Sequence, residues 1–120
     1  MGLDQYLFVE ECADEEATEV FYWRKHPNLH GFMTAEWLSL PENEGKSPGD
    51  FNCQRLYITA EIVERLDACT RPNAQKGLPP TSGFFFGESD GYYDEQDRKA
   101  VEFMRGAVER GQRVYYDSWW

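Results

Sequence analysis

EVFYWRKHPNLHGFMTAEWLSLP, residues 19 to 41, changes its hydrophobic period partway along. Residues 19 to 24 have the β-branched and aromatic content of a strand, whereas from Pro27 onward Leu29, Phe32, Met33, Trp37 and Leu40 recur at three- and four-residue intervals. Proline suits a first helical position, where its missing N–H would have had no partner inside the helix. The stretch reads as a strand running into an amphipathic helix that ends near Pro41.

The same test extends in both directions. Residues 3 to 9 read as a first, central strand pairing with 19 to 24, although the alternation is imperfect at Leu7-Phe8-Val9. Residues 41 to 50, PENEGKSPGD, form a turn-rich connection, followed by a strand expected over 51 to 58. Thr59 is placed to cap a helix whose Ile62, Val63, Leu66 and Cys69 share one face, closing at Arg71-Pro72. Asp90 can cap a longer helix from about Gly91 to Arg110, with Val101, Met104, Ala107 and Val108 turned inward and Gly111 as its stop. RVYYDSWW is a final strand whose two tryptophans are expected to pack, within the domain or against another subunit in a homo-oligomer. The fold class is therefore α+β (mixed α/β): one domain over residues 1 to 120, with about four strands and about three helices.

Composition narrows the functional classes. The chain is 41% hydrophobic and 16% aromatic, which supports a packed core despite a formal charge of −10. Residues 1 to 50 carry eleven acids against three Lys or Arg, and six of those acids fall between Glu10 and Glu19. Such a face repels polyanions, so duplex nucleic acid is not an expected partner; the run reads either as a solvated loop or as an acidic partner-binding surface. No apolar run reaches membrane-spanning length and the opening residues lack a signal-peptide pattern, so a cytoplasmic protein is expected. Cys12, Cys53 and Cys69 form an odd set without a CxxC pair, which argues for reduced thiols rather than a disulfide framework or a cysteine-rich zinc site.

Two blocks carry candidate chemistry. Trp23, Arg24, Lys25 and His30 lie around the strand-to-helix junction, where outward N–H groups and the helix dipole favour an anion and an indole offers a stacking face. The alternative is surface charges around a core tryptophan. His26 and His30 have the four-residue spacing of metal ligands, but the glutamate of HExxH is missing and a hydrogen-bonded histidine is the plainer reading. The second block is LPPTSGFFFG, residues 78 to 87, in which Thr81 and Ser82 precede three rings bracketed by Gly83 and Gly87. It is either a phosphate- or sugar-binding turn with apolar walls at Phe84 and Phe86, or a short strand buried on both sides. It is not GxxxxGK[ST], and a Ser82–His30 triad lacks the GxSxG elbow. No catalytic residue, metal or cofactor is therefore assigned.

The blocks MGLDQYL, YWRKHPNLHGF, FNCQRLYIT and LPPTSGFFFG followed by Tyr92-Tyr93 resemble a family of small bacteriophage-encoded proteins. Members open MGLDMYL and carry YWRK before an IH pair, with SGFFFG ahead of a tyrosine-rich helix start. Some carry the label phosphoglycerate kinase, which a chain of 120 residues is too short to be. Trp23, Arg24, Lys25, His30, Cys53, Thr59 and residues 82 to 87 match that pattern; Gln5, His26-Pro27 and Gly31 depart from it. The resemblance implies a phage setting. Joined with the two blocks, it gives the expectation of an anionic nucleotide-like ligand held by Trp23, Arg24, Lys25, His30, Thr81, Ser82, Gly83, Phe84, Phe86 and Tyr92, with sequestration of a host defence signal as the role. The competing expectation is an acidic inhibitor of a host protein, with no small ligand.

Overall fold

The structure, a computed structural model, describes residues 3–10, 18–24, 26–70 and 94–120. In chain order these form β1 (Asp4–Glu10), β2 (Thr18–Arg24), α1 (Pro27–Leu38), two short 3-10 turns (Pro41–Asn43 and Pro48–Phe51), β3 (Leu56–Tyr57), α2 (Ala60–Thr70), α3 (Asp94–Glu109) and β4 (Arg113–Trp119). The four strands make one antiparallel sheet in the order β2-β1-β4-β3. With three helices this is the α+β architecture that the change of period implies.

β1 and β4 are the central strands, and their register sets the two faces. Gln5 lies opposite Trp23 on β2 and Ser118 on β4, and Leu7 lies opposite Phe21 and Tyr116. These residues, with Val9, Val114 and Leu56, point towards the helices. Their apolar members join Leu29, Phe32, Met33 and Trp37 of α1, Ile62, Val63 and Leu66 of α2, and Ala100, Val101, Met104 and Ala107 of α3 in one core. Full burial of each large aliphatic or aromatic side chain contributes about 1.5–3 kcal/mol.

Local chemistry fixes the ends. Thr59 Oγ1 accepts the Ile62 N–H at 3.3 Å, capping α2 as its position suggests. α3 stops where the Gln112 N–H reaches the Ala107 carbonyl (2.9 Å) and the Gly111 N–H reaches that of Val108 (3.1 Å), with Gly111 at φ +77°. The helix starts proposed at Asp90 and Gly91 lie outside the described residues.

One expected element is largely absent. Of the strand read over 51 to 58, only Leu56 and Tyr57 pair, with Tyr116 and Tyr115. Phe51 instead closes a 3-10 turn, and Cys53 adopts φ +63°, a left-handed conformation no strand accommodates. Phe51 is wholly buried beside Trp37, their ring centroids 5.0 Å apart, so the segment satisfies its apolar residues without extending the sheet.

The helices are also fastened to one another. Arg65 of α2 places Nε and Nη2 on the two carboxylate oxygens of Glu36 in α1, at 2.6 and 2.7 Å. Arg98 and Arg105 of α3 both reach the buried Asp67 of α2, at 2.6 and 3.2 Å. Gly111→Ala should lower stability by about 1 kcal/mol, because alanine resists the positive φ that closes α3. Urea unfolding would show this as a lower midpoint with an unchanged slope; an unaltered midpoint would contradict it.

Candidate functional site

The strand-to-helix junction faces inward. The Trp23 ring is completely buried, and its Nε1–H donates to Asp97 Oδ1 of α3 at 2.9 Å. His26 Nε2 donates to the other oxygen of the same carboxyl, at 2.8 Å. The Gln5 side chain completes the arrangement: its Oε1 accepts the His26 N–H (2.9 Å) and its Nε2 donates to the His26 carbonyl (3.1 Å). Of the N–H groups at this junction, that of His26 is given to Gln5, and Pro27 has none to offer an anion.

His30 lies deeper still. Its Nδ1 pairs with the Tyr116 hydroxyl at 2.9 Å, its ring stacks on Phe51 at 5.6 Å, and the Trp120 indole meets it edge-on at 4.6 Å. Burial pushes the imidazole down to about 4 and the Tyr116 phenol well above its ordinary range. Ser118 Oγ, in the same interior row, makes no hydrogen bond among the described residues. Trp23 and His30 are thus core residues, enclosed where the sequence reading had them facing a ligand. Arg24 is exposed near the end of β2, opposite Asp4. Lys25, Thr81, Ser82, Gly83, Phe84, Phe86 and Tyr92 lie outside the described residues. His26 and His30 turn to Asp97 and Tyr116 respectively, and the described residues contain no cluster of metal-ligating side chains.

The other face of the sheet carries a different chemistry. Alternation along β1 sends Asp4, Tyr6, Phe8 and Glu10 outward, joined by Tyr22 of β2, Tyr57 of β3, and Arg113, Tyr115, Asp117 and Trp119 of β4. The rings form a continuous row across all four strands: Tyr22 to Tyr6 at 5.2 Å, Tyr6 to Phe8 at 5.8 Å, Phe8 to Tyr115 at 5.2 Å, and Tyr115 to Tyr57 at 5.5 Å. None of these rings belongs to the core that the helices cover, although Tyr115 is itself buried at 4% exposure. Tyr22 (41%), Tyr57 (37%) and Trp119 (53%) are the exposed large hydrophobics of the described residues. Of the two tryptophans expected to pack within the domain or against another subunit, Trp120 packs against the core and Trp119 is 53% exposed.

Charged groups sit at both ends of this row. The Tyr22 hydroxyl donates to Asp4 Oδ1 at 2.6 Å, a bond that pushes the phenol up to about 12. At the other end the Arg55 guanidinium lies over Tyr115 at 4.4 Å and that of Arg113 over Tyr57 at 4.6 Å, both directed at Glu10. Flat rings with guanidiniums laid over two of them make a surface suited to stacking and to anions. The sequence carried a signal for it: tyrosine and phenylalanine at alternate positions of β1, on the polar side of the strand, caused the irregular alternation at Leu7-Phe8-Val9.

Among the described residues no helix is long and apolar enough to cross a membrane. Compared with protein-family models, with curated proteins and with solved structures, the chain matches none.

Two outcomes test the interior. Asp97→Ala leaves the Trp23 and His26 donors buried without an acceptor and should cost about 3 kcal/mol or more; an unfolding free energy within 1 kcal/mol of wild type would refute the linkage. For His30, the unfolded chain takes up a proton near pH 6.5 whereas the folded imidazole resists until about pH 4. Its contribution is complete above pH 6.5 and is lost as pH falls towards 4, a difference of about 3 kcal/mol. The unfolding free energy of wild type minus that of His30→Asn should fall by that amount between pH 7 and pH 4; a constant difference would contradict the assignment.

Proposed function

We propose that this is a binding protein without chemistry of its own, and that it captures an anionic nucleotide-like small molecule on the outer face of its sheet. The observation that supports this most is the ring row from Tyr22 to Tyr57, with Trp119 exposed beside it. Stacking of a base on an aromatic side chain contributes about 1–3 kcal/mol and tolerates any base, because every base has a π-face. The net charge of −10 argues against a long polyanion but little against a small one. Exposed charges further away than a Debye length, about 8 Å at physiological salt, are largely screened. In a phage setting, tight binding alone would suffice to sequester a host nucleotide signal.

The exposure of Trp119 next to Asp4 and Asp117 favours a second reading, in which that end of the face covers a host protein. The two readings separate on the ligand. Thermal unfolding against cyclic dinucleotides, cyclic trinucleotides, ADP-ribose derivatives and mononucleotides, with matching nucleosides, should show a selective rise of several degrees. Ligand at 100 times its dissociation constant adds about 2.7 kcal/mol. Tyr22→Ala and Trp119→Ala change exposed rings and should weaken that shift without altering the ligand-free midpoint. A flat panel would rule out nucleotide capture and leave the protein partner.

A further inference from the structure

Glu10 holds two arginines loosely. Its Oε1 lies 3.5 Å from Arg55 Nη1 and 3.2 Å from the Tyr57 hydroxyl, and its Oε2 lies 3.4 Å from Arg113 Nη1. The carboxylate is nearly enclosed, its side chain 12% exposed, while the guanidinium side chains are 53% and 60% exposed. Glu10 is thus the seat, and the arginines are the surface. Each guanidinium is also laid flat on a tyrosine, Arg55 on Tyr115 and Arg113 on Tyr57, which restricts its rotation before any ligand arrives.

The unused edges are the informative part. Arg55 and Arg113 engage the protein through Nη1 alone among the described residues, which leaves Nε and Nη2 of both without a protein partner. That pair of nitrogens is the fork that grips an oxyanion in two parallel hydrogen bonds. Arg65 and Arg110 show the fork in use: Arg65 puts Nε and Nη2 on Glu36 at 2.6 and 2.7 Å, and Arg110 puts the same pair on Gln112 at 3.2 and 3.0 Å. Glu10 is the carboxylate that pairs with both arginines among the described residues. Asp117 is within electrostatic reach of Arg55, but it accepts the Ser118 N–H and forms no ion pair with either arginine.

We propose that Arg55 and Arg113, seated on Glu10 and braced by Tyr115 and Tyr57, form a clamp for a diphosphate group. As part of the nucleotide reading above, on which it then rests, the clamp holds the phosphates while the ring row takes the base. Arginine is required rather than positive charge in general, because a lysine ammonium cannot make the two-pronged contact.

Pyrophosphate, which has no ring, is the probe. Isothermal calorimetry at fixed ionic strength should detect its binding to the wild-type protein. Arg55→Lys/Arg113→Lys, which keeps both charges, should weaken it at least tenfold, and Arg110→Lys should leave it unchanged; unfolding midpoints confirm that each variant is folded. Failure of wild type to bind pyrophosphate would overturn the clamp, as would equal binding by the double lysine variant or an equal loss in Arg110→Lys. The two readings fail separately. Pyrophosphate binding with a flat nucleotide panel keeps the clamp and removes base stacking, whereas equal binding of nucleosides and nucleotides without pyrophosphate binding does the reverse.

Discussion

One buried carboxyl determines how the two halves of the chain meet. Asp97, near the start of α3, takes the indole N–H of Trp23 from the end of β2 and the imidazole N–H of His26 from the start of α1, across sequence separations of 74 and 71 residues. An acceptor this deeply buried is costly unless both its oxygens are satisfied, and the two donors are equally costly unless they find it. The three segments are therefore joined through this one carboxyl. Gln96, the preceding residue, donates a hydrogen bond from its side-chain amide Nε2 to the Tyr22 carbonyl at 2.6 Å, so the start of α3 is also tied to the edge strand.

That unit places α3 on the inner side of the sheet and so decides which side bears the helices. α2 follows through Asp67, which receives Arg98 and Arg105 from α3, and α1 follows through the Arg65–Glu36 fork. Once these are set, the inner rows of β1 and β4 are sealed and the outer rows remain apart from the helical core. The aromatic row thus follows from where the helices are anchored, although the anchor touches none of its rings.

The elements were legible in the sequence wherever one residue type had one local cause. The switch from strand period to helix period around Pro27, the threonine before α2 and the glycine after α3 each act within a turn of the chain, and each appears where it was read. The strand over 51 to 58 failed for the opposite reason: its apolar residues were real, but Phe51 is buried by Trp37 and His30, and no strand partner was needed. Trp23 and His30 illustrate the same limit at the level of a site. Beside Arg24, they resemble surface chemistry; their partners, Asp97 and Tyr116, lie 74 and 86 residues further along, and no local pattern reports a contact at that distance.

β1 shows how closely fold and surface depend on each other. Its polar Gln5 faces inward in one row with Leu7 and Val9, and its Tyr6 and Phe8 face outward in the other with Asp4 and Glu10. Burial of Leu7 and Val9 favours this register and Gln5 adds two hydrogen bonds to the backbone of His26, so a slip of one residue would break both bonds and carry every side chain of the strand to the opposite face. The bonds that fix the start of α1 therefore also fix the rings in their outward row. Two buried aliphatic residues and a glutamine satisfied inside the core together leave a tyrosine and a phenylalanine outside it.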